Sequence, residues 1–350
     1  MRNCFIAILL CVPCTLTFAE GIYFPPPGET MQQQSRWTPE RAGFDAQVIQ
    51  ELTRANVAQR WALWRHGHLI RVHGDFNQTS DVASNRKTWH AMMVGAAMLQ
   101  GKIPSVRQKV SHWNKELTGK DADAAWWHVM TQSAGFDYPY GAYPDFDPGK
   151  MWTYSDYNLI NLCRALARTY GKKDYTEAYD DVLRAGYFDA IGMRGWSTAI
   201  KKDSRFSGPN DGVRLVLDLE DMGRLGLLAL ARGNWAGKQL VPRWFVEALE
   251  SKQTRGMRVN YEGPNDGTIG RDPKEFPESP YGFLTWVNTD GDLIPGASRA
   301  WAYASGAGGH KTYWNHKLGI VFAAAGAKLL PKGGDVANIL EAHLSRTETR

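Results

Sequence analysis

Strand-like segments near both ends of the chain enclose a long middle that is rich in helix formers. Near the N-terminus, the apolar runs Trp61–Trp64 and Leu69–Val72 flank a Gly-containing turn, which is typical of a β-hairpin. Further strands are predicted at Tyr281–Val287, Ala300–Ala304, Thr312–Asn315 and Gly319–Ala325. This order predicts an α+β protein whose sheet domain, over 20–104 and 215–350, is split by an inserted, mainly helical domain over 105–214.

Helical spacing and capping residues locate the helices. The segment Trp89–Leu99 is apolar on most faces, which predicts a buried helix that starts near Ser84. Asp156–Tyr170 has helical spacing and is followed by Gly171, a residue that commonly ends helices. Similar patterns predict helices at Glu40–Ala55, Asp218–Arg232, Pro242–Lys252 and Asp335–Leu344.

Residues 1–19 have the features of a secretory signal peptide. Arg2 gives a positive start, the apolar run Cys4–Phe18 is short for a membrane span, and Ala19 is a small residue of the kind that a signal peptidase reads. We expect cleavage after Ala19 and a periplasmic or secreted mature protein, with a buried N-terminal helix as the alternative. Cleavage would leave Cys163 as the only cysteine, so no intrachain disulfide could form.

Net charge and hydropathy limit the partners of the mature chain. Loss of Arg2 lowers the formal net charge from +5 to +4, which is too small to indicate a nucleic-acid partner. No later segment is long and apolar enough to cross a bilayer, so we expect no stable membrane insertion after cleavage. The sequence also lacks the common metal and cofactor motifs, and His66 and His68 read most simply as solvated hairpin residues. The motifs present therefore indicate neither a metal nor an organic cofactor.

Ser84 is the only serine that is followed three residues later by a lysine, Lys87. Residues three apart share one face of a helix, so the Lys87 amine would lie one turn above the Ser84 hydroxyl. A serine becomes an effective nucleophile when an adjacent base takes its proton, and a buried lysine can be that base or can hold another group ionised. At a helix start, Ser84 would also have free N–H groups that could bind an oxyanion.

Two further segments carry candidate site residues. Tyr154 precedes an apolar helix, and a tyrosine near an ammonium can have its pKa lowered from about 10 and can shuttle protons. An aromatic helix start with Ser155 or Asp156 as N-cap is the alternative. The strand-like segment 304–309 is so rich in small residues that another backbone, or a ligand, could approach it closely.

In this order, the Ser84–Lys87 pair, the tyrosine segment and the small-residue strand resemble the serine β-lactamase and penicillin-binding-protein superfamily, in particular the class C β-lactamase-related hydrolases and esterases. Segments 130–135, 148–156 and 218–242 are also similar to that family, so the resemblance covers most of the mature chain. It implies an antiparallel sheet flanked by helices and packed against a helical domain, with the active site in the cleft between them.

The resemblance also implies a role for each site residue. Ser84 would be the acylated nucleophile, Lys87 would accept or relay its proton, and Tyr154 would be the general base for acylation and deacylation. The backbone amides of Ser84 and Ala307 would form the oxyanion hole. Residues of the second and third segments would bind the substrate, namely Asp156, Ser305 and Gly306.

Two departures from the lactamase pattern bear on the substrate. Ala304 stands where the lactamases carry a lysine that helps to bind a substrate carboxylate, and Asp156 replaces an asparagine whose amide donates. Both changes favour the esterase or amidase members. His310 occupies a place often held by glutamine, and the sequence assigns it no role.

Three functions follow from these observations. The first is a secreted serine hydrolase that cleaves a small ester or amide. The second is a β-lactamase or D,D-peptidase acting on peptidoglycan-type substrates, which would need Lys311 or an arginine to replace the missing cation. The third is a non-catalytic binding protein on the same scaffold.

Overall fold

The computed structural model of the protein describes residues 21–26, 28–32, 36–136, 146–173, 179–201, 212–260, 278–326 and 334–344. Its helices are α1 (Val48–Arg54), α2 (Arg86–Leu99), α3 (Trp126–Met130), α4 (Asp156–Thr169), α5 (Tyr179–Leu183), α6 (Leu219–Leu230), α7 (Arg243–Leu249) and α8 (Gly334–Ala342). Its strands are β1 (Arg60–Arg65), β2 (His68–His73), β3 (Ser80–Asp81), β4 (Met151–Trp152), β5 (Ser197–Lys201), β6 (Gly212–Leu217), β7 (Asn234–Trp235), β8 (Lys238–Gln239), β9 (Arg258–Val259), β10 (Trp286–Val287), β11 (Trp301–Gly306), β12 (His310–Asn315) and β13 (Ile320–Ala325).

The main sheet has six strands in the order β10-β11-β12-β13-β1-β2, and every neighbouring pair is antiparallel. Strands from the two ends of the chain meet at its centre, where Arg60 pairs with Ala325 and Arg65 pairs with Ile320. The prediction of an α+β fold, with an antiparallel sheet built from both ends and flanked by helices, is therefore confirmed. The limits predicted for a helical domain, 105–214, stay a prediction.

Helices cover both faces of this sheet. Helix α6 packs so closely that a Cβ added to Gly226 would lie 2.6 Å from Val321 Cγ1 and 3.0 Å from Thr312 Cγ2. On the other face, Trp301 Nε1 donates to Glu341 Oε1 of α8 at 2.7 Å. Side chains alternate between the two faces of a strand, so Trp301 and Ala304, three residues apart, lie on opposite faces of the sheet. The α6 face is the one that leads to the candidate site.

A second, three-stranded sheet in the order β3-β6-β5 was not predicted. Strand β5 lies in the region expected to be mainly helical, β6 crosses the end of that region, and β3 shortly precedes Ser84. Two predicted boundaries were also wrong. The first helix begins at Val48 rather than Glu40, because residues 39–43 form turns in which Gly43 has a φ of +76°. The strand predicted from Tyr281 pairs continuously only at Trp286–Val287, since Leu284 has a φ of +51°.

The segment predicted as a signal peptide, residues 1–19, lies outside the described residues. Among the helices of the described ranges, none combines the length and the apolar composition that a bilayer crossing requires.

Candidate active site

Ser84 lies in a 3-10 turn, Ala83–Asn85, that joins β3 to the start of α2 at Arg86. Ala83 has a φ of +49°, which is uncommon for a residue with a side chain and gives the chain a sharp bend just before the serine. The bend is held by Asp81, whose Oδ1 accepts the Ala83 N–H at 2.9 Å. The helix that the sequence predicts to start near Ser84 thus begins two residues after it.

Lys87 points back to Ser84 as its helical spacing predicts. Its Nζ lies 3.0 Å from Ser84 Oγ, and its side chain is 1% exposed. Burial takes most of the water away from this amine, so its contacts with the protein decide what it can do. It is within reach of the proton that Ser84 must lose to become a nucleophile.

Asp156 closes an ion pair with the same lysine. Lys87 Nζ donates to Asp156 Oδ1, and Arg86 Nη2 lies 3.6 Å from that oxygen. Burial by itself would raise the pKa of the Asp156 carboxyl, but Lys87 and Arg86 hold it well below its usual range. The carboxyl is therefore ionised at any working pH, and one of its oxygens is occupied by protein cations. Its predicted contact with substrate stays a prediction.

The start of α4 positions Asp156 beside Lys87. Ser155 is the N-cap, and its Oγ accepts the Tyr157 N–H at 3.1 Å. The Ser155 N–H donates in turn to Gln132 Oε1 at 2.7 Å, and Asn158 Nδ2 donates to the same oxygen at 2.9 Å. Sequence reasoning missed Gln132, since nothing local shows that its amide would cap a turn more than 20 residues away.

Tyr154 completes the group around Lys87. The lysine Nζ lies 4.4 Å from the centre of the Tyr154 ring, a distance typical of a cation–π contact. The ring is buried, and it stacks against Trp286 with centroids 6.1 Å apart and planes 21° apart. The structure thus brings the three residues predicted to be catalytic into contact through a single amine.

The small-residue strand β11 approaches the serine turn as closely as its composition predicts. A Cβ added to Gly306 would lie 2.0 Å from the Val82 carbonyl oxygen and 3.1 Å from the Ser84 nitrogen, so only glycine fits. Ala307 follows directly, in the turn between β11 and β12. The proposed second amide of the oxyanion hole therefore comes from a segment adjoining Ser84.

Asn85 fastens the serine turn to this strand. Its Nδ2 donates to the Ala304 carbonyl oxygen and to Thr312 Oγ1, both at 3.3 Å, while its Oδ1 accepts the Trp89 indole N–H at 2.7 Å. The side chain is fully buried. Sequence reasoning also missed this residue, because an asparagine inside a Ser-x-x-Lys motif has no distinguishing neighbour in the chain.

Lys311 and Ser305 lie on the face of the sheet opposite to Ala304 and Thr312. They are paired across β11 and β12, and Lys311 Nζ contacts the Tyr313 hydroxyl at 3.2 Å and the Tyr303 ring at 5.4 Å from its centre. Burial lowers the pKa of the Lys311 amine to about 8. Since these side chains lie on the opposite face from Thr312, Lys311 does not replace the cation missing at position 304. The predicted substrate contact of Ser305 stays a prediction.

His310 starts β12 opposite Gly306. Burial lowers the pKa of its imidazole, and the nearby charges of Arg60 and Arg214 act in the same direction, whereas Asp81 opposes them. The ring is therefore neutral at neutral pH. No group of three or more His, Cys, Asp or Glu arranged for a metal ion occurs within the described ranges.

Comparison with known proteins gives a family match and many similar folds. The sequence model of the family described as Beta-lactamase matches residues 50–344. A search of curated proteins found no match.

Solved structures share the fold at low sequence identity. A penicillin-binding protein homologue from Caulobacter crescentus has a TM-score of 0.63 at 15% identity, over 85% of this chain and 97% of the other. A beta-lactamase from Mycobacterium bovis has a TM-score of 0.60 at 16% identity, over 87% and 100% of the two chains. EstCE1, described as a hydrolase with promiscuous acyltransferase activity, has a TM-score of 0.58 at 13% identity, over 85% and 97%.

Proposed function

Because the chain belongs to the beta-lactamase family, we propose that it is a serine hydrolase that cleaves a small ester or amide through an acyl-enzyme on Ser84. The observation that carries this proposal is the placement of Lys87, whose Nζ is 3.0 Å from Ser84 Oγ and also contacts Asp156 and the Tyr154 ring. A buried amine within hydrogen-bond distance of a serine hydroxyl, with a tyrosine ring beside it, supports nucleophilic catalysis at that serine.

In the proposed reaction, Ser84 Oγ attacks the substrate carbonyl carbon while its proton passes to the Tyr154 oxygen, which acts as the general base beside the Lys87 ammonium. The carbonyl oxygen becomes an oxyanion bound by the N–H groups of Ser84 and Ala307. Collapse of this intermediate breaks the bond to the leaving alcohol or amine, which takes the proton. Water then attacks the acyl-Ser84 ester, gives one proton back to the serine oxygen through the same tyrosine, and releases the acid.

Two features support a small ester or open-chain amide, rather than a β-lactam antibiotic, as substrate. Ala304 offers no cation for a substrate carboxylate at that position, and Lys311 lies on the far face of the sheet. The Asp156 carboxylate accepts from Lys87 and has no N–H to donate, whereas an amide donor at this position would suit a β-lactam side chain. EstCE1, a hydrolase of similar fold with promiscuous acyltransferase activity, agrees with this choice.

The test is hydrolysis of p-nitrophenyl acetate and butyrate by the wild type and by Ser84→Ala. We expect the variant to lose roughly a thousandfold or more in kcat/KM. Ser105→Ala, at a serine in an exposed loop, is the matched control and should keep wild-type activity. Unchanged hydrolysis by Ser84→Ala would refute the proposal.

β-Lactam hydrolysis or D,D-peptidase activity is the second candidate, favoured by the family match and by the beta-lactamase and penicillin-binding neighbours. Turnover of a chromogenic cephalosporin that disappears in Ser84→Ala would establish it. Ligand binding that survives Ser84→Ala, without turnover of any ester, would instead indicate a non-catalytic binding protein.

We also propose that the mature protein is exported. Residues 1–19 support this through their short charged start, apolar run and small residues before the expected cleavage site. N-terminal sequencing of protein expressed from the full gene in a Gram-negative host should give Glu20 as first residue, in the periplasm or medium. A chain that keeps residue Met1 and stays in the cytoplasm would contradict it.

A further inference from the structure

Arg214 lies beside the serine turn, although no sequence motif points to it. Strand β6 runs antiparallel to β3, with Asp81 opposite Val216, and the Val82 N–H donates to the Leu215 carbonyl oxygen at 3.0 Å. One step further in this register, Arg214 stands next to Ala83, the residue before the nucleophile. Opposite residues of an antiparallel pair have their side chains on the same face.

The guanidinium of Arg214 is held by one edge only. Its Nε donates to Asp81 Oδ1 at 3.1 Å and to Oδ2 at 3.0 Å, and Asp81 Oδ1 also accepts the Ala83 N–H at 2.9 Å. A single carboxylate therefore fixes both the arginine and the bend before Ser84. The Arg214 side chain is 13% exposed, against 41% for Asp81.

Among the described residues, hydrogen bonds of the Arg214 guanidinium to the protein come only from Nε. In the described part of the chain, Nη1 and Nη2 of Arg214 make no hydrogen bond or ion pair, whereas Nε makes both of its contacts to Asp81. The four N–H groups of these two nitrogens lie in one plane and suit the two oxygens of a carboxylate. Because Asp81 already fixes the side chain, little rotational freedom remains to be lost on binding.

The positive charge of Arg214 lowers the pKa values of two groups near the serine, Asp156 and His310. At Asp156, burial raises the carboxyl pKa but Lys87, Arg86 and also Arg214 lower it. At His310, burial and neighbouring arginines, Arg214 among them, lower the imidazole pKa. The charge of Arg214 is therefore close to both groups, in agreement with its place beside Ala83.

We propose that Arg214 binds a carboxylate carried by the acyl portion of the substrate. The inference rests on the proposed function and narrows it to esters or amides of short dicarboxylic or similarly anionic acids. The leaving group must reach the Tyr154 oxygen to take its proton, so the acyl portion extends to the other side of Ser84, past Ala83. Since Asp81 cancels one unit of charge locally, a singly charged carboxylate suits the site better than a doubly charged phosphate.

The cation missing at Ala304 is a separate feature, because Arg214 lies beside the nucleophile turn and would meet the acyl portion of the substrate. The positive group that would recognise this carboxylate is supplied from β6 of the small sheet. The anion would then approach from the nucleophile turn rather than from the strand that carries the oxyanion hole.

The experiment compares two esters of adipic acid that differ in one charge. One is the p-nitrophenyl half-ester with a free carboxylate, and the other is its methyl ester, which is neutral and of similar shape. We expect the wild type to have the higher kcat/KM for the anionic ester. Arg214→Gln should lower the anionic-to-neutral ratio by about tenfold to hundredfold, as expected for loss of a charge-assisted hydrogen-bond pair. The ratio for Arg214→Lys should fall between those of the wild type and Arg214→Gln, because lysine keeps the positive charge but lacks the planar pair of N–H donors of arginine.

The control variant is Arg71→Gln, an exposed arginine on β2 that should leave the ratio unchanged. A wild-type ratio at or below one, or an equal ratio in Arg214→Gln and wild type, would overturn the inference while Ser84-dependent hydrolysis still stood. If Arg214→Gln does not fold, the Arg214→Lys ratio decides alone, and a value equal to that of the wild type would overturn the inference.

Calorimetry separates this inference from the proposed function. Adipate, the product acid, should bind to Ser84→Ala and should bind at least tenfold more weakly to Ser84→Ala/Arg214→Gln. This measurement needs no turnover, so it tests Arg214 even if Ser84 proves not to be a nucleophile. Equal binding to the two proteins, or none to either, would refute the assignment.

Discussion

Arg86 Nη2 lies 3.6 Å from Asp156 Oδ1, the same oxygen that receives Lys87. Two neighbouring cations, both 2% exposed or less, thus share one carboxylate next to the nucleophile. The side chains of this group carry a net charge of +1, which matches that of a lone lysine beside a neutral amide. Arg86 is therefore the partner that allows an aspartate at position 156, and its Nη1 also donates to the Ala83 carbonyl oxygen at 2.8 Å.

This relationship predicts a strong coupling between Arg86 and Asp156. Asp156→Asn alone would leave two buried cations without a counter-charge, at a cost of about 3 kcal/mol in the free energy of unfolding. Arg86→Met/Asp156→Asn should recover part of that loss, and part of the activity lost by the single variant. Urea unfolding and p-nitrophenyl butyrate turnover of the four proteins measure the coupling.

The exposed pair Lys109–Asp123 supplies the control for this cycle, since both side chains are more than half exposed. Its coupling should be under about 1 kcal/mol. Additive effects of Arg86→Met and Asp156→Asn, in both stability and activity, would show that Arg86 does not compensate Asp156.

Gly306 should tolerate no side chain. Gly306→Ala places a Cβ against the backbone of Val82 and Ser84, so we expect the serine turn to shift and hydrolysis to fall by at least tenfold. Gly101→Ala is the comparison, because its φ of +72° strains an added side chain but nothing lies within 4 Å of it. That variant should cost roughly 1 kcal/mol of stability and keep its activity. Full activity in Gly306→Ala would mean that the strand can retreat.

Asp221 should make the protein less stable as the pH rises. Burial and the adjacent Asp218 raise the pKa of the Asp221 carboxyl to about 8 in the folded protein, and its Oδ2 has no partner among the described residues. The folded state therefore binds a proton more tightly than the unfolded chain between about pH 4 and pH 8, so the free energy of unfolding falls as pH rises through that window.

Asp221→Asn should flatten this dependence and raise stability above pH 8, which urea midpoints from pH 5 to pH 9 would reveal. Asp181→Asn is a control of opposite sign, because Lys172 lowers the pKa of that exposed carboxyl. An unchanged pH profile in Asp221→Asn would show that this carboxyl is ionised in the folded protein.

His343 should stabilise the protein at low pH. Burial lowers the pKa of its imidazole, but Asp45 and Glu51, each 2.8 Å away, raise it by more. The stabilisation is complete below the ordinary histidine pKa and disappears as pH rises through the raised value. Because both carboxylates are about half exposed, we expect His343→Gln to cost at most about 1 kcal/mol at pH 5 and less at pH 8. Equal melting-temperature losses at the two pH values would contradict this.

The parts of the site that follow from local periodicity could be predicted from the sequence. Ser84 and Lys87 meet because residues three apart share a helix face, and Gly306 permits a close approach because it lacks a side chain. Both properties belong to the residues themselves and to their spacing. The antiparallel strands of the main sheet were found in the same way, from short apolar runs between turns.

The contacts that were missed join residues far apart in the chain. Gln132 supports Ser155, Asn85 bonds to β11 and β12, and Arg214 stands beside Ala83 only because β6 pairs with β3. None of these side chains differs in type from many others in the sequence. Their roles arise from the tertiary packing. Tertiary packing also overrides local propensity at β5 and β6, where the sequence did not predict strands.

The pairing of β1 with β13 has a consequence for how the chain folds. Partners such as Arg60 and Ala325 are about 260 residues apart, so the centre of the main sheet is made of contacts of very high sequence separation, which slow folding. Until β13 pairs with β1, the β1–β2 hairpin keeps an unpaired edge. Strand β11 joins β1 only through β12 and β13, so we expect the contact between the nucleophile turn and β11 to be complete only when the sheet closes.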